Sequence, residues 1–319
     1  MINRAFARYG WGVLLANMVV IVWGAFVRAT GSGAGCGNHW PTCNGELLPS
    51  APTMGTLIEF SHRASSGIAL LGVLGLVIWA WRLRPITVRL RWSAVASLVF
   101  ILLEAAIGAG IVLFEYVAGN ASIARAYWMA GHLVNTFFLL AALTLTAWWA
   151  GGGAPLRLRG QGLLGWSLGL ALVGMLVQGA SGGITALGDT LLLNAGITPA
   201  QSTVVAWLIN VRIFHPVLAF GVAGLIGLAV WVTRVQREQV GLKQLGDWLV
   251  AAVVMQLLLG ALNVVLQAPV WIQLTHLLGS DVIWILLVLL AARALATPLV
   301  TESVSRFEML AAAASEQRV

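Results

Sequence analysis

Charge is what this sequence has least of. Only 9% of its 319 residues are Asp, Glu, Lys or Arg, against about 25% in soluble globular proteins. With 60% hydrophobic residues and a mean hydropathy of +0.91, that scarcity excludes an ordinary soluble domain and a disordered chain. It also excludes a surface-wrapped nucleic-acid binder, although the net charge is +7. The 18 basic residues, spread thinly along so apolar a chain, read instead as membrane topology signals. Cysteine is nearly absent: there are two, Cys36 and Cys43, seven residues apart. Their spacing is not CxxCH, so covalent haem attachment is not indicated.

What is present is a series of charge-poor runs, each near the roughly 20 apolar residues that a bilayer span takes. They cover 9–27, 64–81, 92–114 (interrupted by Glu104), 126–156, 160–188 and 213–233. The stretch 248–280 is too long for one span and is split by Pro269, which gives a seventh span ending near Gln267 and an eighth over 271–296. Eight spans follow, and the fold class is an all-α integral membrane protein.

Orientation comes from the short connections. Arg4, Arg8, Arg82, Arg84, Arg89, Arg91, Arg157, Arg159, Arg234, Arg237, Lys243, Arg293, Arg306 and Arg318 fall on one side of eight alternating spans. Only Arg28, Arg63, Arg125 and Arg212 fall on the other. This distribution predicts a multi-pass protein of the cytoplasmic membrane with both termini in the cytoplasm, and the long first span, without a small-residue cleavage site, predicts no cleaved signal peptide. The cysteines then lie in the first outer loop, on the oxidising face, where a disulfide and two free thiols are the alternatives.

The chain also repeats itself. Gly108-Ala109 recurs as Gly260-Ala261, His62 as His215, His132-Leu133 as His276-Leu277, and Ala29-Thr30-Gly31 as Ala186-Leu187-Gly188. Four spans per copy put both copies the same way up. The expected architecture is two pseudosymmetric four-helix bundles, 1–155 and 156–319, joined by the glycine-rich segment 151–162.

Four of the five histidines, His62, His132, His215 and His276, fall within the first turn or two of spans that run from outside to inside. They are expected at one depth in the outer leaflet, with one pair facing each of two cavities. Ionisable residues inside a membrane point to function. Paired imidazoles inside a four-helix bundle suit the two faces of a haem iron. Copper or zinc would also take imidazoles, but no Met or Cys cluster accompanies them. Arg63, Arg125 and Arg212 stand near the histidines, either to meet haem propionates or to snorkel to headgroups. The repeat register sets Glu59 against Arg212. An arginine there serves a propionate, whereas a carboxylate on the ligand's own face brings chemistry, or else pairs with Arg63. Glu104 is a second intramembrane carboxylate, a relay group or a helix–helix hydrogen bond.

Several stretches carry a family resemblance: Val27-Arg28-Ala29-Thr30-Gly31-Ser32-Gly33, Cys36 with Trp40-Pro41-Thr42-Cys43-Asn44-Gly45, Glu59-x-x-His62-Arg63, His132, His215-Pro216 and Gln273-Leu274-Thr275-His276-Leu277-Leu278. Together they resemble the haem A synthases of cytochrome oxidase assembly. The resemblance implies oxidation of the C8 methyl of haem O to a formyl group by successive hydroxylations. It implies a resident haem B on His215 and His276, served by Arg212. It places the substrate haem on His62 and His132, near Arg63 and Arg125, with Glu59 as the catalytic group. The family's cysteine pair maps onto Cys36 and Cys43. The implied partners are haem O, a haem O synthase, an electron donor (quinol or ferredoxin-like) and the lipid bilayer, with no nucleic acid. A di-haem cytochrome relaying electrons from quinol, and a repeat-built transporter without haem, are the competing classes.

Overall fold

The computed structural model describes residues 3–83, 87–237 and 239–296. Arg84, Arg306 and Arg318 of the charge pattern lie outside them. The described residues form helices and loops. Hydrocarbon offers no partner to a backbone N–H or C=O, so spanning segments satisfy their own, as helices do. The helices are α1 (Arg4–Ala29), α2 (Met54–Arg82), α3 (Val88–Leu113), α4 (Ile123–Ala150), α5 (Gly162–Asp189), α6 (Thr203–Val211), α7 (Phe214–Gln236), α8 (Val240–Val265) and α9 (Val270–Ala296). Side-chain caps start several of them. The hydroxyls of Thr53, Ser122 and Ser202 accept from the amides of Thr56, Arg125 and Val205. Pro269 does separate the last two spans, and α9 begins at the residue after it.

Eight segments are long and apolar enough to cross a membrane, as the sequence pattern predicts, but their outer ends differ. The fifth continues through a π-helical turn to Leu193. The sixth starts at Thr203 and comprises α6 and α7, with an interruption at Arg212 and Ile213. Helices α2 and α4 also begin earlier than their charge-free runs. Helix α2 starts eight residues before His62, and α4 nine before His132. His62 and His132 thus sit two to three turns in, deeper than the first turn or two expected, whereas His276 lies six residues into α9, within the expected depth. Charges such as Arg63 and Arg125 mark loop boundaries in a sequence, yet here they are inside helices because the loops bind them.

The helices close two rings of neighbours. Helix α1 packs on α2 and α4, and α3 on α2 and α4; α7 packs on α5 and α8, and α9 on α5 and α8. Helices α4, α5, α9 and α1 join the rings. At the joint, Phe137 and Trp284 stack with centroids 5.1 Å apart, and Trp284 Nε1 donates to the Phe137 carbonyl at 2.6 Å. Arg237, counted by sequence among the cytoplasmic charges, is buried and donates to Gln161 Oε1 and the Ala294 carbonyl.

Asp281 is fully buried in α9, and neither carboxyl oxygen meets a hydrogen-bond partner among the described residues. Its repeat counterpart, 144 residues earlier, is Phe137. An unsatisfied buried polar group costs about 1–3 kcal/mol. Asp281→Leu is therefore expected to raise the thermal midpoint of the detergent-solubilised protein by a few degrees. A fall of similar size would mean that the acid has a partner worth keeping.

Candidate functional site

A continuous cavity of about 1860 Å³ opens inside the rings, and His62, His132, His215 and His276 all line it. Pockets for one drug-sized ligand are about 300–1,000 Å³, so this space exceeds the need of a single such molecule. By sequence one pair is expected to face each of two cavities; here both pairs border one connected space. At the boundary stands Arg28 of α1, which donates to the Ala186 carbonyl and Thr190 of the second ring's first span, and to Gln273 Oε1 of α9. The two rings thus share this side chain.

Glycines make room for the rings of three histidines. A Cβ at Gly24 would stand 2.8 Å from His62 Cε1, at Gly182 3.1 Å from His215 Cε1, and at Gly260 3.2 Å from His276 Cε1. His215 and His276 have ring centroids 6.4 Å apart and planes 71° apart. Two imidazoles on one iron, with bonds of about 2 Å and centroids a further ~1 Å behind each nitrogen, have centroids roughly 6 Å apart. This pair therefore fits an iron between them. Ser181 Oγ lies 2.8 Å from His215 Nδ1, a contact that fixes the ring; the Gln178 amide lies 3.3 Å from its Nε2 and has to give way for that nitrogen to take a metal. The buried Nδ1 of His276 has no partner among the described residues. Among those residues, no three of His, Cys, Asp and Glu gather as a metal-ion cage.

In the first ring the expected residues come together in a different pattern. Glu59 is 3% exposed and lines the cavity. Its Oε1 accepts from Arg63 Nη2 at 2.6 Å, and its Oε2 from the Cys36 amide at 2.9 Å. Arg63 also donates to the carbonyls of His39 and Thr42, both at 2.7 Å. Cys36 and Cys43 are disulfide-bonded, which resolves the thiol alternative. The loop they close brings Trp40 and Pro41 to the cavity wall. Arg63 thus clamps the outer loop to Glu59. Arg125, buried at 4%, similarly binds the carbonyls of Ala118 and Asn120. Arg212 pairs with Asp189 at 3.3 Å at the interruption between α6 and α7. All three arginines line the cavity as well.

Sequence reasoning missed Arg28 and Ser181, and also Gln178 and Gln256, which line the cavity. Arg28 was visible as one of four basic residues on the outer side. The others are intramembrane polar residues in Gly/Leu/Val-rich spans, a signal that could have been followed.

The comparisons agree with this architecture. The family model described as "Cytochrome oxidase assembly protein", COX15-CtaA, matches residues 7–288. A relative from Thermus thermophilus named "Protoheme IX farnesyltransferase" is 48% identical over 297 residues, 91% of this chain and 48% of that protein. A "Heme A synthase" from Bacillus licheniformis is 42% identical over 112 residues, 35% of this chain and 37% of its own length. One from Halalkalibacterium halodurans is 34% identical over 141 residues, 44% and 47% of the two chains. The matched stretches span about half or less of these relatives. Since the family model runs through nearly all the spans, the chain belongs to the COX15-CtaA family of cytochrome oxidase assembly proteins.

Proposed function

We propose that this protein is a haem A synthase, oxidising the C8 methyl of haem O to a formyl group. Two successive hydroxylations, each taking one dioxygen, two electrons from the donor and two protons and releasing one water, convert the methyl to an alcohol and then to a geminal diol, which loses water to leave the aldehyde. The carrying observation is the His215–His276 pair at 6.4 Å inside a cavity with room beyond one ligand. In this reading His215 and His276 hold haem B, which supplies electron transfer when bound. His62 and His132 hold the substrate haem in the first ring.

The chain's own groups have these tasks. Ser181 orients His215. Gly24, Gly182 and Gly260 leave space beside the imidazoles. The disulfide loop, held by Arg63 and Glu59, brings Trp40 and Pro41 over the first ring and limits water access from outside. Glu59, three residues and about one turn before His62, offers a carboxylate beside the substrate to accept or return a proton. Arg28, between the rings, offers its charge to propionates, as do the remaining donors of Arg63, Arg125 and Arg212.

The Thermus relative bears on the partner. This chain matches half of it, and its name states protoheme farnesylation. We assign that step to the unmatched half and haem O oxidation to the half shared with this chain. A separate haem O synthase would then supply the substrate here. The electron donor proposed is a quinol or a ferredoxin-like protein.

The reading is tested first by the absorption spectrum and pyridine haemochrome of the purified protein. Soret and α bands of a low-spin six-coordinate haem B are expected. A colourless protein from a haem-replete host would remove the reading and restore a transporter.

A further inference from the structure

Glu104 takes no part in the reaction as proposed, yet both oxygens of its carboxylate are bonded. Its Oε1 accepts from Thr136 Oγ1 at 2.5 Å, and its Oε2 from Asn135 Nδ2 at 2.5 Å. Oε1 also lies 3.0 Å from His132 Nδ1, at ion-pair distance but short of the alignment of a full hydrogen bond. His132, Asn135 and Thr136 occupy one face of α4 at helical spacing. Together they enclose a carboxylate delivered by α3.

The second ring contains the same arrangement with its polarity reversed. The Gly108–Gly260 register, 152 residues, equates Glu104 with Gln256. The His132–His276 register, 144 residues, equates Asn135 with Gly279 and Thr136 with Ser280. Gln256 donates: its Nε2 bonds the His276 carbonyl and Ser280 Oγ, both at 2.8 Å. A Cβ at Gly279 would collide with Gln256 Oε1, so the residue replacing Asn135 is the one that admits the amide. Neither Nδ1 makes a full hydrogen bond among the described residues; the difference is that a carboxylate stands 3.0 Å behind that of His132. Two coordinated exchanges, Glu for Gln and Asn for Gly, thus separate the rings at the atom behind one histidine of each pair.

We propose that Glu104 is a positioning residue for the first ring: its carboxylate holds His132 by Nδ1, turns Nε2 toward the bound haem's iron, and makes this imidazole a stronger donor than His276. A carboxylate behind a ligating imidazole fixes its tautomer and raises its basicity. Outer hydrogen bonds of this kind are among the levers on haem potential. The stronger donor favours ferric iron, so the first-ring haem is held at a lower potential than it would have with an amide there. This inference rests on the reading that the first ring binds a haem.

The test uses the purified full chain loaded with haemin, a redox titration followed by absorption, and ferric EPR. Glu104→Gln keeps the size and is expected to retain haemin while the first-ring midpoint rises and its low-spin g values shift. The second-ring haem should be unchanged in both readouts. Glu104→Asp keeps the charge but withdraws it by one methylene. It should move the midpoint in the same direction by less, which a pure charge effect would not do. Glu104→Leu should lower first-ring haemin affinity about 10–100-fold. His132→Ala is the control for the underlying reading. If it binds haemin as tightly as the native chain at the first ring, the haem assignment there fails and this proposal with it. If His132→Ala loses that haemin while Glu104→Gln and Glu104→Asp match the native midpoint and g values, only the role of Glu104 is overturned.

Discussion

His215→Ala protein, purified from a haem-replete host, is expected to lack haem B and to form no haem A. The imidazole is one of two facing each other across 6.4 Å, and its ring is fixed from behind by Ser181. Losing an outer partner of a metal ligand costs about 10–100-fold in affinity or activity. Losing the ligand itself should cost more, so occupancy should fall below detection by haemochrome assay. Ser181→Ala should lie between the native chain and His215→Ala. Loss of turnover in His215→Ala is indirect, because electrons no longer reach the first ring. Wild-type haem B content in this variant would show that the second ring is misassigned.

The second large effect is at Glu59. Glu59→Gln should preserve the second-ring haem B spectrum while haem A formation falls by roughly 10²-fold or more, the scale of losing a general acid or base. Haem O or its hydroxymethyl product should accumulate. The structure sharpens the competing explanation. Glu59 holds Arg63 and the Cys36 amide, so an amide there also loosens the disulfide loop. Arg63→Gln separates the two, because it releases the loop carbonyls of His39 and Thr42 while keeping the carboxylate. If Glu59 acts on the substrate, Arg63→Gln should be markedly milder than Glu59→Gln. Equal losses would reduce Glu59 to a loop anchor.

The legible part of this molecule was what periodicity and scarcity can record. Eight spans followed from a bilayer's length requirement. The four histidines stood out because ionisable residues are costly in lipid, and the repeat followed from matched Gly and His positions. The depth of His62 and His132 was misjudged because Arg63 and Arg125 looked like the edges of spans. Their charges are satisfied by loop carbonyls, a tertiary fact with no local signature. The contact between the rings was hidden for the same reason: Arg28 reaches from one ring to Gln273 of the other, 245 positions away. The reversed polarity at Glu104 and Gln256 was present in the repeat register. It gained meaning only when Asn135 and Gly279 could be placed beside those side chains.

The most direct measurement is chromatography of the haems extracted from a haem O-producing host with and without this chain. The account predicts haem A with the chain and haem O alone without it. Haem O alone in both, with the purified protein still carrying haem in each ring, would contradict it and make the protein an electron-relaying cytochrome.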